Sequence, residues 1–177
     1  MVSYFFPNST ANGKPTYPKP ITPNHISIKS AIDHIQNDPV EEKELLDFVE
    51  GSFQKKFIEL LPFNPTRHTK PSDSEFRDKN PKGSCFNMIR PAINLPSPTL
   101  TQAGQQKGVS GVFHYAKNRK LTIKELKILM SIPDDYVLTG TFDQQAERLG
   151  RMVAPKMMAA LSSHVYENIL KPYKESL

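Results

Sequence analysis

The sequence predicts an α+β chain that is mostly helical, with a small irregular β-containing region in its middle. Apolar residues recur at helical spacing at Ile28, Ala31, Ile32 and Ile35, then from Leu45 to Leu61, from Ile123 to Met130, and from Met158 to Ile169. Between Cys85 and Tyr115 the pattern changes to short β-like pieces, CFNMI, SPTLTQ and VSGVFHY, separated by turn formers. No internal repeat is present.

A length of 177 residues suits one domain with an appendage. No run approaches the roughly 18 apolar residues of a membrane span. The opening MVSYFFPNST has neither the basic start nor the long apolar stretch of a secretory signal. One cysteine, Cys85, cannot build a disulfide framework or a zinc site, so no metal and a reducing cytoplasm are expected. The net charge of +5 divides into −3 over residues 1–54, +4 over 55–90 and +4 over 91–177. Such asymmetry fits a chain that offers one face to a polyanion, although basic surfaces without a nucleic-acid partner are common.

The elements follow in order. Five of the 16 prolines fall in the first 23 residues, which marks residues 1–25 as an extended connector. HISIKSAIDHI forms a helix that Asn37-Asp38-Pro39 stops. A longer helix runs from Pro39 to Leu61, bent near Gly51, with Leu45, Leu46, Val49, Phe53, Phe57, Leu60 and Leu61 on its buried stripe. Residues 62–84 are dense in turn formers and charge and read as loop with at most one short strand. Thr122 with Glu125 forms a capping box for a helix that buries Ile123, Leu126, Leu129 and Met130 and breaks at Pro133. A final helix starts at Pro155 and buries Met158, Leu161, Val165 and Ile169 before Pro172. Ahead of it lies an elbow, Gly150-Arg151-Met152-Val153-Ala154-Pro155, which on its own reads as an ordinary joint between helices. The division expected is 1–25 connector, 26–113 helices and the β-containing region, and 114–177 C-terminal helices.

Three groups of residues carry a resemblance. They are Arg119-Lys120-Leu121-Thr122 with Glu125, then Ile132-Pro133-Asp134-Asp135-Tyr136, then Gln145, Leu149-Gly150, Val153 and Pro155. Together they resemble the last two conserved blocks of DNA (cytosine-5) methyltransferases, which read approximately R-x-L-T-x-R-E with F-P-D-D-Y following, and I-G-N-x-V-P-P. Upstream, RPAINLPSPTLTQ resembles the segment that closes that family's target-recognition domain, and ISIKSAIDHI the helix preceding it. The resemblance covers the chain from about Ile26 onward.

It implies the C-terminal piece of a Rossmann-like, S-adenosylmethionine-dependent methyltransferase together with its target-recognition domain. Gly150, Arg151, Met152 and Val153 would then form one wall of the cofactor pocket, with Gly150 allowing close approach. Two departures stand in that block: Arg151 replaces an asparagine, and Ala154 the first proline of the pair. The family's nucleophile is a cysteine in a Pro-Cys-Gln string that attacks cytosine C6. Here Cys85 stands in GSCFN and reads as a small half-buried residue, so no catalytic residue is expected in this chain. Glu167-Asn168-Ile169 resembles the family's Glu-Asn-Val but follows the last block, and reads as solvated helix surface. GQQKGVSG, residues 104–111, reads as a turn.

The function implied is target recognition and completion of the cofactor pocket, with S-adenosylmethionine shared with a catalytic half that carries the cysteine. Double-stranded DNA would be the other partner. Arg67, His68, Arg77 and Arg90 are candidates for guanine or phosphate, and Thr99, Leu100 and Thr101 for the neighbourhood of an extruded nucleotide. Thr99 and Thr101 also read as plain strand residues. Arg119, Thr122 and Glu125 would be structural. A free-standing DNA-binding module and a truncated remnant are the alternatives. If the sheet of a catalytic half is missing, the stripes of the last two helices lack a partner, and the chain from about His114 onward should be looser than residues 40–110.

Overall fold

A computed structural model of the chain describes residues 17–20, 24–52, 55–82, 88–108 and 110–175. Cys85, Phe53 and most of the proline-rich opening lie outside the described residues. Two units are distinct, one of Asn24–Met152 and one of Val153–Leu177 with Met1–Pro23. The larger unit therefore joins elements from both sides of residue 113.

In that unit α1 (Ile28–Ile32) is capped by the Ser27 hydroxyl, which accepts from the Ser30 N–H. It is shorter than its spacing suggested, because only Ile28 and Ile32 are buried and Ile35 packs from the edge. Helix α2 (Pro39–Glu50) has Asp38 as its cap, Pro39 at its first position and Glu41 and Glu42 in the first turn. The single bent helix expected to reach Leu61 is instead two: α2 stops at Gly51, and α3 (Lys55–Ile58) follows. Gly51 is a poor helix former, and the Ser52 hydroxyl next to it donates back to the Val49 carbonyl at 3.4 Å, competing with the backbone ladder.

Residues 62–84 are not all loop. Helix α4 (Asp73–Lys79) begins with a reciprocal capping box between Ser72 and Glu75. It is anchored by one apolar residue, Phe76, whose ring stacks on Phe57 with centroids 4.6 Å apart. Strands β1 (Met88–Ile89) and β2 (Gly111–Val112) pair in parallel, Met88 against Gly111 and Ile89 against Val112. Isolated antiparallel bridges, Thr69 with Arg90 and Phe113 with Lys120, extend this small sheet at its margins. SPTLTQ, expected to be β-like, has no ladder.

Helix α5 (Ile123–Leu129) carries the capping box of Thr122 and Glu125, and α6 (Phe142–Arg151) a third such box, of Thr141 and Gln144. Leu126, Ala146 and Leu149 from these helices share one buried cluster with Ile28, Ile32, Leu100, Val112, Tyr115, Leu121 and Ile132. The stripe of α5 therefore finds its partners within this chain, which corrects the expectation that it needs an external sheet. A second cluster joins Val49, Phe57, Ile58, Leu61, Phe76, Met88 and Phe113.

The smaller unit holds α7 (Pro155–Val165), a π-helical turn (Tyr166–Leu170) and α8 (Lys171–Glu175). Pro172 does not end the helix as expected. The Lys171 N–H bonds the Tyr166 carbonyl across the wider π turn, and that turn absorbs the donor that Pro172 lacks. None of these three elements contains a buried residue, so the stripe expected to be buried is not: Met158 and Val165 are exposed, and Leu161 and Ile169 half-buried. Among the described residues no helix is long and apolar enough to cross a membrane.

Candidate functional site

The Arg-x-Leu-Thr block builds a buried polar junction. Arg119 is fully buried; its two terminal nitrogens donate to the two Glu125 oxygens at 2.9 Å each, a bidentate pair. The same guanidinium donates to Glu42 Oε1 at 3.0 and 2.8 Å and to the Lys120 carbonyl at 2.8 Å. Glu125 also accepts from the Thr122 N–H and from Asn37 Nδ2, both at 2.9 Å. Burial by itself would raise the Glu125 pKa, but the Arg119 guanidinium and its other donors hold the carboxyl below its ordinary value. His114 lies 3.6 Å from Glu125, accepts at Nδ1 from the Ala116 and Lys117 N–H groups at 3.0 Å each, and is pushed by burial down to about 4. It is neutral at pH 7. These groups satisfy one another and tie α2 to α5 at the block's centre, which is the geometry of a joint.

The recognition candidates divide by burial. Arg67 is exposed and Arg77 lies exposed in the last turn of α4; among the described residues neither makes an ion pair. His68 is half-buried, accepts from the Ala92 N–H at 2.9 Å, and has its pKa lowered by burial and then by Lys70, so it braces its own loop. Arg90 departs from expectation. It is 1% exposed and donates to the Leu61, His114 and Lys117 carbonyls at 2.7, 3.0 and 3.1 Å and to Asn118 Oδ1 at 2.8 Å. Burial lowers its pKa to about 10, so it remains a cation, spent on carbonyls and not offered to DNA. Thr99 is exposed, Thr101 half-buried, and Leu100 is an anchor in the main core.

Gly150 shows what the elbow requires. A Cβ placed there would lie 2.6 Å from the backbone of Thr101 and Gln102, so the close packing of that segment requires a glycine here. Gln102 Nε2 donates to Glu147 Oε1 at 3.0 Å, and the same oxygen pairs with Arg151 at 2.6 Å. Met152 packs on the main core, while Arg151 and Val153 are exposed. The space a side chain would take at Gly150 is filled by the Thr101–Gln102 backbone. Sequence reasoning joined the elbow to a cofactor and missed its contact with the Thr99–Gln102 segment. Two further residues it passed over, Glu42 and Lys120, carry no motif signal beyond standing in or opposite the Arg119 block. Among the described residues no cluster of three or more His, Cys, Asp or Glu could hold a metal.

The C-5 cytosine-specific DNA methylase family model matches residues 6–167. Type II methyltransferase M1.HphI of Haemophilus parahaemolyticus is 28% identical over 154 residues, covering 86% of this chain and 40% of that protein. The putative type II methyltransferase M.MJ0563P of Methanocaldococcus jannaschii is 30% identical over 94 residues, 53% of this chain and 28% of that protein. Type II methyltransferase M.AquIB of a Picosynechococcus species is 30% identical over 99 residues, 50% of this chain and 67% of that protein. The chain thus spans well under half the length of the first two relatives. No solved structure matches. With the match running through the Arg119 block and the elbow alike, the chain belongs to the C-5 cytosine-specific DNA methylase family.

Proposed function

We propose that this chain is the target-recognition part of a C-5 DNA methyltransferase, as its C-terminal half or as a subunit, and works with a catalytic half that supplies the nucleophilic cysteine. The observation that carries this reading is the single cysteine: Cys85 stands in Gly-Ser-Cys-Phe-Asn, so the nucleophile comes from elsewhere. The M.AquIB relative supports it, since the region shared with this chain makes up 67% of that protein against 40% and 28% of the other two. A short methyltransferase chain built mostly of this region is therefore a form that occurs among its relatives.

On this reading the exposed guanidiniums of Arg67 and Arg77 contact phosphate or guanine, and the exposed Thr99 edge faces the nucleotide drawn out of the duplex. Leu100 and Gly150 hold that edge from behind. S-adenosylmethionine supplies the methyl group when bound in the catalytic half, and only Arg151 and Val153 of the elbow are exposed to border it. The test is reconstitution with a labelled methyl donor and duplex DNA. Transfer that requires both chains is expected. No transfer to any DNA by the mixture overturns the proposal, and salt-sensitive DNA binding by this chain without a partner's help would favour a free-standing binding module.

A further inference from the structure

Lys120 follows Arg119 in the motif block but turns into a different environment. It is 1% exposed, and among the described residues no carboxylate pairs with it. Its ammonium donates instead to two carbonyls of one loop, Gly104 at 3.1 Å and Ser110, and lies 4.3 Å from the centre of the Phe113 ring. Burying an ammonium without a counter-charge is costly, and burial lowers the Lys120 pKa to about 7; a methionine or leucine would fill the same space more cheaply. What only a donor-bearing side chain adds here is a cross-link between the two ends of the loop.

Those ends are already in close approach. Gly111 has φ +91°, and a Cβ on it would overlap the Gly104 carbonyl; a Cβ on Gly104 would come within 2.9 Å of Gly111 Cα. The neck they form abuts the recognition segment, for the Gly104 N–H donates to the Thr101 carbonyl at 3.1 Å. From the other side the Thr101–Gln102 backbone rests on Gly150. The far part of the loop is fixed to α6, where Asp143 accepts from the Lys107 N–H at 2.7 Å. Loop, recognition segment and elbow therefore form one chain of backbone contacts, and Lys120 closes its neck.

We propose that Lys120 is a positioning residue: by bridging the Gly104 and Ser110 carbonyls it fixes the Thr99–Gln102 segment, without itself touching DNA. The role toward DNA rests on the proposed function; the closure of the neck does not. The experiment compares wild type with Lys120→Met in amide exchange of the full chain and in methyl transfer by the reconstituted assembly. Exchange at Thr101–Ser110 should quicken roughly tenfold or more while Val49 and Leu126 keep their protection. In the assembly kcat should fall while DNA affinity stays within about twofold, since no phosphate contact is lost.

Unchanged exchange in the loop overturns the proposal, and so does a looser loop with unchanged kcat. A large loss of DNA affinity with an unaltered loop would make Lys120 a DNA contact and overturn it as well. Should Lys120→Met not fold, nitrogen-detected lysine spectra of the wild type at about pH 5.5, where the side chain is an ammonium, decide: slowly exchanging ammonium protons coupled to the Gly104 and Ser110 carbonyls support the bridge, and a freely exchanging ammonium removes it. If the wild-type assembly methylates nothing, the proposed function fails by itself, and the bridge is judged on exchange alone.

Discussion

At the scale of single residues, the side chains that carry the family motif act on protein. Arg119 is the clearest case, with both carboxylates and a carbonyl gathered around a guanidinium that has no solvent access. Removing it leaves Glu125 buried without its counter-charge, so Arg119→Ala should cost about 3–5 kcal/mol in urea denaturation. Arg119→Lys should recover only part of that, because an ammonium cannot reproduce the bidentate fork. Smaller losses would mean that the junction is not the keystone its geometry indicates. His114 gives the junction a pH dependence. Its folded pKa is near 4 against an ordinary 6.5, so as pH falls the unfolded chain takes the proton first. Stability is complete above about 6.5 and declines down to about 4, by as much as roughly 3 kcal/mol. Glu125, held below its ordinary 4.5, adds a further loss only in more acid solution. The measurement is denaturant midpoint against pH: His114→Asn should flatten the decline between about pH 7 and 5, and an equally steep variant would assign it elsewhere.

At the scale of elements, the sequence is legible where structure is local and silent where it depends on distant backbone. The Thr122–Glu125 box is readable because its partners lie three residues apart, and the same rule would have found α4 from Ser72 and Glu75. It was obscured there because a single phenylalanine, and no apolar run, follows. Two-residue strands carry no period to read, so the parallel pairing of Met88 with Gly111 had no signal. Arg90 looks like any surface arginine until Leu61 and His114, 29 and 24 residues away, bring their carbonyls to it. The family resemblance marks the elbow as a place of close approach to a cofactor, whereas the close approach seen at Gly150 is that of the Thr101–Gln102 backbone, distant in sequence and so without local signal. Gly150→Ala separates the possibilities by sign. In an open helical position alanine would stabilise by about 1 kcal/mol. Against the Thr101–Gln102 backbone, 2.6 Å from the added carbon, it should destabilise by roughly 1–3 kcal/mol and shift the amide resonances of Thr99–Gln102. A gain in melting temperature would show that the contact is not held in solution.

At the scale of the whole molecule, the two units differ in how they use their apolar residues. Asn24–Met152 closes a core of its own, which includes α5 and α6 and so narrows the region expected to be loose from everything after His114 to the last helices. From Val153 onward many large apolar residues remain outside: Met157 is 58% exposed, Tyr166 54%, and Met158, Val165, Leu170 and Tyr173 are each exposed by 40% or more, while Leu161 and Ile169 are half-buried. A helix of this length with so many large apolar side chains exposed is marginal in water, since tertiary packing supplies most helical stability. Covering the face would contribute on the order of several kcal/mol, at roughly 1.5–3 kcal/mol for each fully buried side chain. Under the proposed function the catalytic half covers it. Amides of residues 155–175 should then exchange rapidly in the isolated chain and become protected when the catalytic half is added. Met157→Glu with Leu170→Glu should weaken assembly by tenfold or more while leaving the unfolding of the larger unit unchanged, because neither residue belongs to its core. Strong protection of residues 155–170 in the isolated chain, independent of concentration, would sink this prediction. Protection that rises with concentration would instead assign the face to a second copy of the same chain.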